Sequence, residues 1–186
     1  QDGRRFQPAR YPQDDWYDQV PGKHRFVFDN TSPEAASLGL NFVSNFFTAS
    51  QTGYGLKDED LAVIMVMRHS ATPFAYSDAI WQKYGVPITA RTKYNDPVTN
   101  KPPTLNIYNV VREEGQQAGR TVSALTARGV RLAVCQLSTR AYAGAIATAT
   151  GQKQEAVFEE LKASLIGGAN SRLVPAGVLA VNRAQE

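Results

Sequence analysis

Seven consecutive apolar residues, Leu61–Met67, constrain the fold of this chain more than any other feature. An apolar run of strand length without polar alternation is typical of a strand covered on both faces, as in a parallel sheet. A second strongly apolar segment, interrupted by Arg131 and Gln136, spans residues 130–137, and weaker strand patterns occupy residues 24–29 and 172–175. Because parallel strands are usually connected through helices, these runs predict an α/β domain.

Helical patterns fill the segments between these strands. One helix is predicted to begin at Pro33, behind a capping Thr31 or Ser32, and to end at Gly53 and Gly55. Its apolar residues recur at helical spacing and are expected to form the buried face: Ala35, Leu38, Phe42, Val43, Phe46 and Ala49. Further helices are predicted at residues 74–84, 109–128, 142–150, 154–166 and 178–185. This order of elements predicts a mostly parallel sheet with helices on both faces.

Residues 1–23 precede the α/β domain, which we place at residues 24–186. Their prolines and glycines predict an extended arm rather than a helix or a central strand. The arm carries four aromatic side chains that are costly to leave in water: Phe6, Tyr11, Trp16 and Tyr17. We expect them to pack either over their own domain or on a neighbouring subunit.

A long irregular loop is predicted at residues 86–108, inside the α/β domain. It contains four prolines, Pro87, Pro97, Pro102 and Pro103, among several Asn and Thr residues. Loops of this length are uncommon unless they are functional or form contacts. A lid, an oligomer contact and a solvated insertion are the three interpretations.

Composition excludes several functional classes. The 20 basic and 17 acidic residues are dispersed, so no clustered basic face predicts nucleic-acid binding. No apolar run approaches the ~18 residues of a membrane span. With no GxGxxG or P-loop motif, and with two histidines and one cysteine far apart, neither a cofactor nor a metal is expected.

The start at Gln1 favours a mature form that lost a signal peptide, in a periplasmic or extracellular setting.

The carboxyl ends of parallel strands meet at one edge of a sheet, where ligands bind. This edge is predicted to gather Asn30, Arg68, His69, Cys135 and Ser138. A cysteine before a helix N-terminus and near cations favours the reactive thiolate, although free cysteines are also commonly inert and buried. We expect Cys135 and His69 to act as the chemical groups, and the other three to contact a substrate.

Several segments resemble DsrE/DsrF-like proteins. The segment Gly129-Val130-Arg131-Leu132-Ala133-Val134-Cys135 is similar to the cysteine-bearing strand of that family, and Leu173-Val174-Pro175-Ala176-Gly177-Val178 to its closing strand, turn and helix. Val66-Met67-Arg68-His69-Ser70-Ala71 resembles its second strand and the following turn. The resemblance covers about residues 24–186. It implies a flavodoxin-like sheet, homo-oligomers such as trimers or hexamers, and persulfide sulfur carried on Cys135.

Three functions are compatible with these patterns. The first is a sulfur-handling protein, at most sulfurtransferase-like, that exchanges persulfide sulfur on Cys135 with a donor or acceptor protein. The second is a non-enzymatic, self-assembling structural protein, an oligomer or filament in which the arm and the 86–108 loop contact other subunits. The third is a module that binds a small ligand at the strand ends.

Overall fold

Four parallel strands form the sheet of the protein: β1 (His24–Asn30), β2 (Leu61–Met67), β3 (Arg131–Cys135) and β4 (Ser171–Val174). In the computed structural model, which describes residues 11–12, 15–111 and 118–185, they lie side by side in chain order. Every residue of β2 is buried, as its continuous apolar run predicts. The predicted α/β fold is confirmed, and the all-parallel sheet is consistent with a flavodoxin-like architecture.

The helices lie on both faces of this sheet. In the described part of the chain they are α1 (Asp15–Asp18), α2 (Pro33–Tyr54), α3 (Asp78–Thr92), α4 (Val122–Ala127), α5 (Gln136–Thr150), α6 (Gln154–Ala163) and α7 (Gly177–Gln185). Right-handed connections between strands that follow one another in order place α2 to α6 on the same face. Val63 and Met65 of β2 pack towards these helices, whereas Ile64 packs towards α7 and α1.

The predicted buried face of α2 is largely wrong. The sheet contacts a neighbouring stripe, Ala36, Leu40, Val43 and Phe47, whereas Leu38 and Phe42 are 52% and 53% exposed. Gly39 lies on the buried side, where a Cβ would come within 2.3 Å of Asn30 Oδ1. This close approach brings the Gly39 side of α2 against β1. The stripe that contains Leu38 and Phe42 therefore faces solvent.

The helix predicted at residues 74–84 instead runs from Asp78 to Thr92, after a 3₁₀ helix at His69–Ala75. Pro87 lies inside the helix, and the chain leaves the helix only at Lys93. Gly85 allows close packing, because a Cβ there would lie 2.0 Å from the carbonyl oxygen of Pro103. Gly85 and Pro87 are therefore not a helix end, and the irregular segment begins at residue 93.

A buried asparagine anchors the irregular segment to the domain. The Nδ2 of Asn106 donates to the carbonyl oxygens of Phe74 and Tyr76, both at 2.8 Å. The neighbouring Ile107 and Tyr108 are buried in the core. Part of the predicted 86–108 loop thus packs on its own domain. Among the described residues of the helix predicted at 109–128, α-helix is found at α4, capped by Thr121, and residues 112–117 lie outside the described part.

The described part of the N-terminal arm covers the α7 face of the sheet. Residues 15–18 form the helical turn α1, which corrects the prediction of an arm without helix. Trp16 and Tyr17 are buried, and the Trp16 indole donates to the Ala169 carbonyl at 3.3 Å. Arg131 donates to the Trp16 carbonyl, which ties the turn to β3. These two aromatic residues pack on their own domain, while Phe6 lies outside the described residues.

Candidate functional site

Three strand ends are joined by hydrogen bonds at the carboxyl edge of the sheet. The N–H of Arg68 donates to the Asn30 carbonyl at 3.1 Å, which connects the ends of β2 and β1. The N–H of His69 donates to Ser138 Oγ at 3.0 Å, which connects the turn after β2 to the first turn of α5. The residues that the sequence predicts to share this edge therefore lie together, with Cys135 ending β3.

Cys135 is both the last residue of β3 and the N-cap of α5. Its Sγ accepts the backbone N–H of Ser138 at 3.4 Å, and its carbonyl oxygen accepts the Thr139 hydroxyl at 3.0 Å. The predicted start of the helix at residue 142 is therefore too late, because α5 begins at Gln136. A sulfur at the positive end of a helix is well placed to carry negative charge. Only 6% of Cys135 is exposed.

Arg68 is the cation held beside this cysteine. Its guanidinium makes two hydrogen bonds with the Asp29 carboxylate, both at 2.7 Å. Hydrogen bonding to Asp29 raises the pKa of Arg68, and the charges of Asp29 and Cys135 act in the same direction. Gly177 lies against the arginine stem, because a Cβ there would come within 2.6 Å of Arg68 Cβ. The turn after β4 therefore helps to hold the arginine in place.

His69 projects from the turn after β2 and is exposed. Its backbone adopts a left-handed conformation with φ of 53°. Its Nδ1 lies 3.3 Å from the Thr31 carbonyl and 3.1 Å from Ser70 Oγ. With its proton on Nδ1 the ring donates to the Thr31 carbonyl, and with its proton on Nε2 it accepts the Ser70 hydroxyl. Either tautomer keeps Nε2 available as a donor or an acceptor for a bound ligand.

Asn30, which we expected to contact a substrate, is buried beneath the strand ends. Its amide nitrogen donates to the carbonyls of Phe28 at 3.4 Å and Val66 at 3.2 Å. Both amide protons are thus directed to the protein backbone, and the side chain braces β1 against β2. In this structure the Asn30 side chain positions the strand ends, and its contact with a substrate stays a prediction.

An open cleft of about 450 Å³ lies beside these residues. It is lined by His69, Ser70, Arg91, Leu137, Ser138, Ala141 and Tyr142. The Arg91 guanidinium lies over the ring of Tyr142, 5.2 Å from its centroid. Burial raises the pKa of Tyr142 to about 12, so the phenol is neutral at physiological pH. Cys135 is not among the residues that line the cleft, although it adjoins the turn that contributes Leu137 and Ser138.

The chemistry of the cleft suits a small anion. Arg91 and His69 provide positive or proton-donating groups, and Ser70 and Ser138 provide hydroxyls. None of the described lining residues is acidic. Sequence reasoning missed Arg91 because residues 86–108 were predicted to be loop. Had α3 been extended to Thr92, its last turn would have carried Arg91 towards the strand ends.

Two other charged or titratable residues of the sequence, Arg140 and His24, make other contacts or lie at another edge of the sheet. Arg140, a predicted cation near Cys135, pairs with Glu155 at 3.0 Å and stacks on the Phe158 ring. His24 begins β1, at the opposite edge of the sheet from Cys135. Of the two arginines, Arg68 is therefore the cation that acts on Cys135, whereas Arg140 pairs with Glu155.

Within the described ranges, no three His, Cys, Asp or Glu side chains lie close enough together to hold a metal ion. None of the described helices is long and apolar enough to cross a membrane. Comparisons with protein-family models, with curated proteins and with solved structures find no match to this chain. The assignment of a function therefore depends on the geometry of the strand ends.

Proposed function

We propose that the protein handles sulfane sulfur, carrying it as a persulfide on Cys135. The observation that carries this proposal is the position of the Cys135 sulfur, which accepts a backbone N–H at the start of α5. The backbone N–H groups that begin α5 and the nearby Arg68 guanidinium present hydrogen-bond donors and positive charge towards this sulfur. The resemblance of the β3 segment to DsrE/DsrF-like proteins supports the same chemistry.

The transfer step needs no oxidant. The Cys135 thiolate attacks the outer sulfur of a donor R–S–SH, and the donor S–S bond breaks as the new one forms. The donor leaves as the thiolate R–S⁻, and Cys135 holds the group –S–SH, which keeps the donor proton. Transfer to an acceptor protein follows the same step in reverse. The neighbouring cleft with Arg91 and His69 suits an anionic donor or leaving group.

The low exposure of Cys135 favours small donors over bulky ones. Incubation with inorganic polysulfide, followed by intact-mass measurement, tests the proposal. We expect a mass gain of one sulfur atom in the native protein and none in Cys135→Ala. A native protein that gains no sulfur, although the same protein is loaded after unfolding, would contradict the proposal.

Self-assembly is the second candidate function, and one observation favours it. Leu38 and Phe42 on α2 and Phe26 on β1 are 52%, 53% and 43% exposed, and they lie on the same side of the domain. Exposed apolar patches of this kind commonly mark protein interfaces. Sedimentation over a range of concentrations distinguishes the candidates, because a carrier that works as a monomer does not require association.

A further inference from the structure

The outer edge of the sheet at β1 is open in the described part of the chain, because β1 pairs only with β2. The Asn30 carbonyl accepts from Arg68 of the turn after β2, so even-numbered residues of β1 direct their backbone groups inward. Arg25, Val27 and Asp29 therefore present N–H and C=O groups outward. A groove of about 280 Å³ runs along this edge. Such an edge is a template for pairing with another strand.

An apolar stripe on α2 lies next to this open edge. The stripe consists of Ala35, Leu38, Phe42, Phe46 and Ala49, five of the six residues that the sequence predicted to be buried; the sixth, Val43, is buried. The Phe46 ring lies 5.4 Å from the ring of Phe26 on β1, so strand and helix form one continuous apolar surface. Half-exposed aromatic side chains are costly to leave in water, which favours a protein partner for this surface.

We propose that a second copy of this chain covers the surface, related by a two-fold axis, with β1 pairing antiparallel to β1. The two four-stranded sheets then form one continuous sheet. This interface does not depend on the chemistry at Cys135, and it gives the assembly candidate a defined geometry. It uses β1 and α2 instead of the arm and the 86–108 loop.

The sequence of β1 is self-complementary around Val27. Antiparallel pairing centred there places Arg25 opposite Asp29 of the second copy, and Phe26 opposite Phe28. Asp29 already pairs with Arg68 of its own chain, so Arg25 of the second copy would join this ion pair as a second cation. Opposite charges and aromatic pairs in these positions stabilise a sheet, whereas parallel pairing in register would oppose like charges. Arg25 is exposed, and among the described residues it donates one long hydrogen bond, to the Tyr17 carbonyl at 3.4 Å, which leaves further guanidinium donors for a partner.

The stripe on α2 has the same symmetry. Phe42 is its midpoint, so antiparallel packing places Phe42 on Phe42, Leu38 on Phe46 and Ala35 on Ala49. Because Phe46 contacts Phe26, Phe42 lies four residues, about 6 Å, towards the start of α2, near the level of Phe28. Phe28 is one residue, about 3.3 Å, from Val27, so one axis can pass within a few ångströms of both midpoints.

The spacing of the elements is compatible with this packing. Helix α2 contacts both β1 and β2, so its axis lies above the space between them. With strands ~4.8 Å apart, joining two copies at β1 places the two α2 axes about 10 Å apart. Packed helices are separated by ~8–10 Å, so the exposed stripes meet without a gap.

The apolar surface area available for burial is small, so we expect a dimer of modest affinity. Phe26, Leu38 and Phe42 are each about half exposed and together offer roughly 300 Å² of apolar surface per copy. A standard interface buries about 800 Å² per partner, so the β1 backbone edge and the polar rim supply the remainder. Association is therefore expected to depend on protein concentration.

Crosslinking tests the register. In a Cys135→Ala background, Val27→Cys places two thiols beside the axis, and a short bifunctional thiol reagent is expected to link them into a dimer. Arg25→Cys is the matched control, because its two copies lie about 13 Å apart in the same pairing. Equal crosslinking of both variants, or none for Val27→Cys, would overturn the proposed interface.

Charge exchange tests the same pairing without a crosslinker. Arg25→Asp alone and Asp29→Lys alone are expected to be monomeric, whereas a mixture of the two restores a dimer. Circular dichroism confirms that both variants fold. Sulfur loading of the monomeric Phe42→Ser variant separates the proposals, since loss of the dimer with retained loading leaves the carrier function intact. Dimers of each single charge variant as tight as wild type would contradict the pairing.

Discussion

The sulfur of Cys135 accepts the backbone N–H of Ser138 at 3.4 Å, so a thiol occupies the capping position that Ser, Thr, Asp or Asn usually fills. The cysteine therefore has a structural role as well as a chemical one. Its substitution changes both the stability of α5 and the reactivity of the strand ends, and the two effects can be separated by the choice of replacement.

Cys135→Ser is expected to keep the cap, because a serine hydroxyl accepts the same N–H. Cys135→Ala removes it, and loss of an N-cap costs about 1 kcal/mol. We expect the alanine variant to have a free energy of unfolding lower than that of the serine variant by that amount, measured in urea. Neither variant can be loaded with sulfur. Equal stability of the two variants would show that the sulfur does not cap α5.

Gly177→Ala is expected to displace Arg68, because the added Cβ comes within 2.6 Å of Arg68 Cβ. Overpacking of this kind costs about 1–3 kcal/mol, and it should also slow sulfur loading. Gly53→Ala is the matched control, since Gly53 lies in α2 with no atom near its missing Cβ. Alanine there should stabilise the protein by up to ~1 kcal/mol. Thermal unfolding of both variants checks the contrast.

The apolar run Leu61–Met67 and the mostly apolar segment 130–137 predicted β2 and β3, because continuous apolar sequence of this length is typical of a strand covered on both faces. Cys135 followed from its position at the end of one run. Arg91 did not, because Gly85 and Pro87 carry the usual marks of a helix end. Only the Pro103 carbonyl, distant in sequence, explains the glycine, and tertiary contacts of this kind have no local signal.

The face of α2 shows a second limit of sequence patterns. Helical periodicity identified an apolar stripe, but α2 carries two, and the spacing alone gives no reason to prefer one. The buried stripe is the one beside Gly39, where Asn30 approaches. A stripe of correct period that remains exposed is then an indication of a partner, which is the basis of the proposed dimer.

Arg91→Ala is expected to slow loading by an anionic polysulfide about tenfold, because the cleft loses its exposed guanidinium. The melting temperature should change little, as Arg91 is a surface residue. Arg140→Ala is the control, because Arg140 is paired with Glu155 and does not line this cleft. Loading kinetics by intact mass distinguish them. Similar rates for the two variants would exclude the cleft as the donor site.

Alkaline pH is expected to destabilise the protein through its buried phenols. Burial raises the pKa of Tyr142 to about 12, and those of Tyr76 and Tyr108 also rise. In the unfolded chain these tyrosines ionise near pH 10. Their contribution to the free energy of unfolding is therefore fully present below about pH 10, and it decreases as the pH rises from there to the pKa of the folded state. Tyr142→Phe should flatten this fall, as measured by unfolding in urea between pH 9 and 12. An unchanged slope would contradict the raised pKa.

The alkylation rate of native Cys135 at neutral pH, compared between the wild type and Arg68→Gln, distinguishes a reactive sulfur from an inert core thiol. We expect measurable alkylation without unfolding, and slower alkylation in Arg68→Gln, because that variant loses the cation beside the sulfur. A thiol that reacts only after denaturation, or a rate that Arg68→Gln leaves unchanged, would contradict the sulfur-carrier function.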